Sequence, residues 1–311
     1  MSELRELTRA LPFVGADTSV LDDARIAHVA ADGNHILSHR DIPGVRLEAE
    51  ETADGILGRM TIASGVRIET PIHLCFGLLQ PVGVQRIRMT VTVEASASAG
   101  VLAHCLFPMA REARHEMEAE LRIGEGAVLR YAEGHYHGPQ GGMTVLPKAR
   151  IRLERGARYF SDFALTTGRV GRLVIDYIVE AEAHAVAELT AKMFGRGEDD
   201  ISIRETVILK GEESHGLIKT RVAVQDSACA EVTGITEAQA RGARGHVDCK
   251  EVIRDHAVAR AIPIVKVTHP EAKVTHEAAI GSVDRKELDT LMAHGLAPEE
   301  AVELIVGGIL Q

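Results

Sequence analysis

Short runs of alternating apolar and polar residues fill most of this 311-residue chain, from about residue 36 to residue 281. Residues 87–93, 173–179 and 203–209 are clear examples, and glycine or polar residues separate the runs. Alternation with a period of two is typical of strands that bury one face. Aromatic residues make up only 3% of the chain and tryptophan is absent, which fits short strands better than a helical bundle. The chain is therefore predicted to be mainly β.

An alanine that follows a turn recurs through this strand-rich region. Successive alanines are separated by 30, 28, 43 and 29 residues. A recurring unit of this kind is typical of a solenoid, in which each coil buries its inner face against its neighbours. We predict a β-helix on this basis, and an antiparallel sandwich or barrel stays open as the alternative. The alanines are Ala127, Ala157, Ala185, Ala228 and Ala257.

Helical patterns lie at both ends of the chain. The spacing predicts a short helix over 4–11, a second helix over 285–294 that ends at Gly295, and a third that begins at Pro298. We therefore predict an N-terminal appendage over 1–35, a β-helix core over 36–283 and a C-terminal helical subdomain over 284–311. The two C-terminal helices either cap the open end of the solenoid or dock a partner. The apolar stripe predicted on the last helix consists of Ala301, Leu304, Ile305, Ile309 and Leu310.

Charge and cysteine content narrow the range of partners and of cellular compartments for this protein. A formal net charge of -10 argues against a nucleic-acid partner, which would require clustered lysine and arginine. The four cysteines lie far apart without a CxxC pair, and neither a secretory signal nor an apolar run of about 20 residues is present. We expect free thiols, a cytoplasmic protein and no membrane partner. The cysteines are Cys75, Cys105, Cys229 and Cys249.

Three groups of residues are candidates for metal chemistry. Cys249, followed by His276 and Glu277, supplies a thiolate, an imidazole and a carboxylate, all of which bind iron. The alternative is that Cys249 is a small buried residue and His276 a core histidine. His135 and His137 are one residue apart and would share a face of a strand. The glutamate of the cupin motif is missing, however, and the glycine-rich segment 138–142 follows instead, which favours an exposed loop.

The third group is a neighbouring imidazole and thiol, His104 and Cys105. Adjacent residues of a strand face opposite ways, so we interpret this pair as one surface and one core residue. The chain contains neither GxxxxGK[ST] nor GxSxG. Any dependence on ATP must therefore come from a partner, and we predict neither catalytic residues nor an enzyme.

Residues 245–311 together resemble the C-terminal part of the SufB and SufD proteins, and the resemblance extends more loosely over about residues 36–311. The matching residues are, in chain order, Asp248, Cys249, Pro263, Pro270, Ala272, Val274, Thr275, His276, Glu277, Ala278, Gly281, Leu288, Ala293, His294, Gly295, Leu296, Glu300, Ala301, Leu304, Ile305, Val306 and Gly308.

This resemblance implies a right-handed parallel β-helix followed by a helical subdomain that docks a SufC-like ABC-type ATPase. It also implies a scaffold that assembles a transient iron–sulfur cluster on Cys249, His276 and Glu277 and passes it to apo-protein recipients, with ATP used only by the partner. In the paired paralogues the SufB-like protein carries the cysteine and glutamate, and the SufD-like protein contributes the histidine. Because this chain has all three, we expect a symmetric homodimer whose sites use ligands from both subunits.

Two other functions stay open at this point. One is a structural β-solenoid adaptor that recruits the ATPase without binding metal. The other is a β-helix enzyme acting on carbohydrate, which the scarcity of aromatic residues disfavours because sugars stack on aromatic platforms.

Overall fold

The chain folds into a parallel β-solenoid of two facing sheets, as seen in a computed structural model that describes residues 3–283 and 285–310. From the fourth strand onward, successive strands alternate between the sheets, so one coil contains one strand of each. Sheet A contains β1 (His28–Asp32), β2 (His35–Arg40), β5 (Ile72–Gly77), β7 (Ser98–Phe107), β9 (Val128–His137), β11 (Arg158–Leu165), β13 (Val186–Gly195), β15 (His215–Val224), β17 (Arg244–Ile253) and β19 (Lys273–Ser282). Sheet B contains β3 (Val45–Thr52), β4 (Gly55–Ile62), β6 (Val82–Val93), β8 (Glu112–Ile123), β10 (Met143–Leu153), β12 (Arg172–Ala181), β14 (Asp200–Leu209), β16 (Cys229–Ala238) and β18 (Val258–Val267).

Within the described ranges, three α-helices and one 3-10 helix flank the strands. They are α1 (Glu3–Ala10), the 3-10 helix Leu11–Val14, α2 (Arg285–Ala293) and α3 (Pro298–Ile309). The predictions of a mainly β chain and a solenoid are confirmed, and the sandwich or barrel alternative is wrong. None of these helices is long and apolar enough to cross a lipid bilayer.

Because of the alternation in the sequence, successive side chains of a strand point in turn into the lumen of the solenoid and to its outer face. Along β12, for example, every second residue is buried. Because neighbouring strands pair in parallel register, inward residues one coil apart stack directly on each other, as Cys105 does on His135. These stacked rows, mostly of alanine, valine, leucine and isoleucine, form the main hydrophobic core in the lumen between the sheets.

The alanine repeat contains two lines of turns rather than one. Ala127, Ala157 and Ala185 lie in turns that lead from sheet B into sheet A, whereas Ala228 and Ala257 lie in turns that lead from sheet A into sheet B. The long spacing of 43 residues therefore corresponds to about one and a half coils, not to one enlarged coil. In the first line, the turn residues before the alanines have positive φ at Gly126, Gly156 and His184.

The solenoid begins at an earlier residue of the chain than predicted. β1 begins at His28, inside the predicted appendage, and pairs in parallel with β5. The segment before it covers the outer face of sheet A, where Leu7 and Leu11 pack with Cys75 and Leu106. The antiparallel pairs β1–β2 and β3–β4 complete this end of the two sheets.

The C-terminal helices pack against the side of the solenoid instead of covering its end. Val302, Val306 and Leu310 contact a small apolar patch on sheet A that includes Phe194 and Val252. The capping alternative is therefore wrong for the described residues. The predicted stripe is also divided, because Ala301 and Leu310 are buried whereas 57% of Leu304 is exposed.

The last coil leaves the C-terminal end of the solenoid open within the described part of the chain. β18 and β19 are the last strands of their sheets, so each has one edge without a paired strand. Unpaired edges can add a strand from another chain. Exposed apolar side chains cluster on these two strands: Val258, Ile262, Ile264, Val265, Val267 and Ile280.

Candidate functional site

Cys249 lies on β17, one coil before the open end, and faces the lumen. It is 1% exposed, and its partners in the ladder are Thr220 of β15 and Ala278 of β19. Burial raises the pKa of the Cys249 thiol to about 11, because a thiolate is poorly solvated there. In this conformation the residue is a neutral thiol, although iron binding requires an accessible thiolate.

The structure brings one of the two other predicted ligands to the same side as Cys249. His276 pairs with Val247, which faces the lumen, whereas Glu277 pairs with Asp248 on the outer face. Both His276 and Glu277 are exposed on the last strand. These three residues do not form a group whose ligand atoms all lie within 4.8 Å of one another. A complete shell from all three therefore requires a second chain or a rearranged last coil.

An ion pair on the outer face fixes the strand that carries Cys249. Arg221 donates to both carboxylate oxygens of Asp248 over 3.0 and 2.5 Å, and also to the backbone carbonyls of Asp248 and Thr220. These hydrogen bonds hold the pKa of Asp248 below its usual value. Because Asp248 directly precedes Cys249, the ion pair holds the backbone on which the thiol is positioned.

Two buried acids lie near Cys249 that sequence reasoning did not single out. Burial raises the pKa of Glu205 to about 8 and that of Glu251 to about 7. Both Glu251 carboxylate oxygens and one of Glu205 have no hydrogen-bond partner among the described residues. Glu251 was detectable from its position two residues after Cys249, which places it on the same face. Glu205 comes from the opposite sheet, and no local pattern indicates it.

A glycine of the facing sheet lies beside the thiol of Cys249. Gly234 lies on β16 in sheet B, where a Cβ atom would come 3.8 Å from the Sγ of Cys249 and 2.7 Å from Val247. The second distance is too short for a side chain unless Val247 moves. Gly234 therefore lets the two sheets approach closely around Cys249.

The two histidines predicted to lie in an exposed loop are buried in a strand. His135 and His137 occupy β9, face the lumen and are 3% and 1% exposed. The expectation that they share a face is confirmed, and the exposed-loop interpretation is wrong. The loop begins only after them, at Gly138.

The neighbouring pair His104 and Cys105 faces opposite ways as predicted. Cys105 points into the lumen, whereas His104 lies on the outer face, where its Nε2 is 3.0 Å from the Nδ1 of His73. His104 is nevertheless buried. The surface assignment is therefore wrong for His104, although the core assignment of Cys105 is confirmed.

The remaining cysteines differ in exposure. Cys75 is buried under the N-terminal segment, whereas Cys229 is exposed at the start of β16. The apolar sequence around Cys75, Cys105 and Cys229 predicts buried core thiols, and this prediction is wrong for Cys229.

These features define a class: a parallel β-solenoid with thiol, imidazole and carboxyl groups in and beside its lumen and an open apolar end. The chain matches the model of the family described as SUF system FeS cluster assembly, SufBD core domain, over residues 80–309. The chain therefore belongs to the SufBD family of iron–sulfur cluster assembly proteins.

Relatives of similar length support this assignment. An iron–sulfur cluster assembly SufBD family protein of Methanocaldococcus jannaschii is 33% identical over 99% of this chain and 98% of its own length. A protein of the same description from Pyrococcus horikoshii is 35% identical over 100% of this chain and 94% of its own. The iron–sulfur cluster assembly protein SufB of Bacillus subtilis is 23% identical over 80% of this chain and 54% of its own length.

Proposed function

We propose that this chain is a cytoplasmic scaffold on which an iron–sulfur cluster is assembled and from which it is passed to apo-proteins. The observation that supports this most directly is the inward orientation of both Cys249 and His276, on adjacent strands at the open end of a SufBD-family solenoid. The scaffold holds the cluster as cargo and has no catalytic residue of its own. ATP acts only through a SufC-like ABC-type ATPase bound to the C-terminal helices.

The burial of Cys249 sets a requirement for this function. A neutral thiol must lose its proton and meet iron and sulfide, so the last coil must open before a cluster forms. His276, which already faces the lumen, and Glu277 then complete a shell of mixed donors. Such ligation suits transfer, because a cluster held by four thiolates would be released less readily. Movement of the ATPase provides the opening.

A second copy of this chain is the partner that the open end fits best. The free edges of β18 and β19 lie side by side and carry exposed apolar side chains, and both edges would be paired by the same surface of another subunit. His276 and Glu277 project from this end. In such a homodimer, the ligands of one subunit lie next to those of the other.

We expect Val265→Glu to convert the dimer into a monomer. Val265 is 39% exposed on β18, and a carboxylate there would be buried without a partner when two subunits meet. Val84→Glu is the matched control, because Val84 is also 39% exposed on a strand of sheet B but lies far from the open end. Light scattering measures the mass. A monomeric parent, or a dimer that survives Val265→Glu, would show that the open end is not the interface.

One observation favours a second function. Because Cys249 is 1% exposed, the chain in this conformation fits an adaptor that recruits the ATPase without binding metal. The adaptor and the scaffold share the fold and the partner, and they differ only in the chemistry of Cys249.

Anaerobic reconstitution distinguishes the two functions. We expect the purified chain, incubated with ferrous iron and sulfide and then desalted, to retain both and to show the visible charge-transfer absorption of an iron–sulfur cluster. The bound cluster should then pass to an apo-ferredoxin. A desalted protein without iron, sulfide or visible absorption would support the adaptor instead.

A further inference from the structure

A second set of metal-binding groups lies deep in the lumen, between β7 and β9. Cys105, Glu133 and His135 each place one ligand atom within 4.8 Å of the other two, and all three are buried. The Oε1 of Glu133 is 2.7 Å from the Nε2 of His135 and 4.0 Å from the Sγ of Cys105. Cys105 and His135 are direct ladder partners, one coil apart.

Hydrogen bonding determines which nitrogen of His135 is available. The Nδ1 of His137 lies 3.0 Å from the backbone oxygen of Val170, which can only accept, so this nitrogen carries the proton. A neutral imidazole carries one ring proton, so with that proton on Nδ1 the Nε2 of His137 is an acceptor. His135 Nδ1, 3.3 Å away, therefore donates to it. The hydrogen bond at Nδ1 leaves Nε2 as the ring nitrogen of His135 that is directed at Glu133.

The Nε2 of His135 and the Oε1 of Glu133 face each other across 2.7 Å. A proton or a metal cation must lie between them, since two lone pairs at this distance repel each other. His135 is the only basic side chain that pairs with Glu133 among the described residues. A buried carboxylate with no lysine or arginine beside it gains most from a bound cation.

A further imidazole from the facing sheet has a free lone pair nearby. Gln85 donates to the backbone oxygens of Gly33 and Gly77, which leaves its Oε1 to accept from the Nδ1 of His115 over 2.8 Å. The Nε2 of His115 has no hydrogen-bond partner in the described structure, although the side chain is 1% exposed. The ring of His115 lies 6.4 Å from that of His135, centroid to centroid.

We propose that Cys105, Glu133 and His135 bind one divalent first-row transition cation, of the class of Fe²⁺ or Zn²⁺, inside the solenoid. Sulfur, oxygen and nitrogen donors together suit these ions, and three protein ligands leave a position for water or for His115. One thiolate and one carboxylate balance the double charge, so the complex is neutral in the lumen. Binding releases the thiol proton of Cys105 to solvent.

This site is separate from the one at Cys249. Glu133 lies in the same inward row as Cys249 but four strand spacings away, which is about 19 Å. The ladder runs from Glu133 through Phe163, Ala191 and Thr220 to Cys249. One ion cannot contact both thiols. The lumen site is therefore tested without the site of the proposed function.

Cobalt provides the probe, because Co²⁺ bound to a thiolate gives near-ultraviolet charge-transfer absorption. The starting protein carries Cys229→Ala and Cys249→Ala, so that only buried thiols of the N-terminal half remain. We expect it to bind one Co²⁺ per chain with this absorption, and Cys105→Ser to abolish it. Cys75→Ser is the matched control, since Cys75 is equally buried in the adjacent strand but faces outward. His137→Phe should weaken Co²⁺ binding about 10- to 100-fold by releasing the ring of His135.

Two results would overturn the proposal. One is charge-transfer absorption that survives Cys105→Ser or disappears equally with Cys75→Ser. The other is a metal shell without sulfur in X-ray absorption of the zinc-loaded starting protein, for which we expect one sulfur ligand among nitrogen and oxygen ligands. A shell without sulfur excludes Cys105 even if the Cys105→Ser protein does not fold.

Discussion

Replacing Cys249 by alanine is expected to abolish cluster formation in anaerobic reconstitution. The substitution removes the thiol from the inward face of β17, and the nearby Glu251 of β17 and His276 of β19 offer only oxygen and nitrogen donors. Iron–sulfur clusters are held mainly through thiolates, so the remaining groups would not retain a cluster through desalting. Iron, sulfide and visible absorption are measured on the desalted protein. His276→Ala should also abolish the cluster, because it removes the other predicted ligand that faces the lumen.

The matched control is Cys75→Ala, which removes an equally buried thiol from the same sheet but from its outer face. Its cluster content should equal that of the parent. Circular dichroism shows whether each variant retains the solenoid. A Cys249→Ala protein that takes up iron and sulfide like the parent would disprove the assignment of this site and would leave the adaptor as the leading function.

Replacing Leu304 by glutamate is expected to abolish binding of the SufC-like ATPase. Leu304 lies on α3, which packs against sheet A through Val302 and Val306 and leaves Leu304 57% exposed. A large exposed apolar side chain on a fixed helix is suited to fill a pocket of a partner. Losing such a contact and burying a charge should cost about 2 kcal/mol or more of binding free energy.

Met109→Glu is the matched control, because Met109 is also 57% exposed but lies in the loop after β7. Both substitutions are at the surface, so each should change the free energy of unfolding by less than about 0.5 kcal/mol. Co-purification with the ATPase, followed by calorimetric titration, measures the difference. If the Leu304→Glu protein binds as tightly as the Met109→Glu protein, α3 is not the docking surface. Deleting residues 284–311 should also abolish binding, although it uncovers Phe194 and Val252.

The strands and the number of residues in one coil were predictable because both depend on the pattern of residues close together in the sequence. Alternation has a period of two and appears within a single strand, and a solenoid repeats its turns at the length of one coil. The position of Cys249 relative to Glu251 follows from the same alternation. The error in the alanine repeat has a physical cause: both lines of turns place a small residue under a tight bend, so composition does not distinguish them.

The contents of the lumen were not predictable from local patterns. His135 and His137 precede a glycine-rich segment, which favoured a loop, but the ladder with β7 extends the strand through both residues. Glu205 reaches the surroundings of Cys249 from the opposite sheet. Which side chains meet across a lumen depends on the register of many strands at once, and no window of sequence contains that information.

The sequence by itself determined that this chain forms a β-solenoid with a helical C-terminus, and that Cys249 and Glu251 lie on the same face of one strand. The tertiary structure decided which end of the solenoid is covered, since α3 packs on the side of sheet A and leaves one edge of β18 and one edge of β19 without a paired strand. It also decided that Cys105 meets Glu133 and His135. Alternation is a property of each strand alone, whereas burial and stacking depend on which coils become neighbours and which face of a sheet is covered.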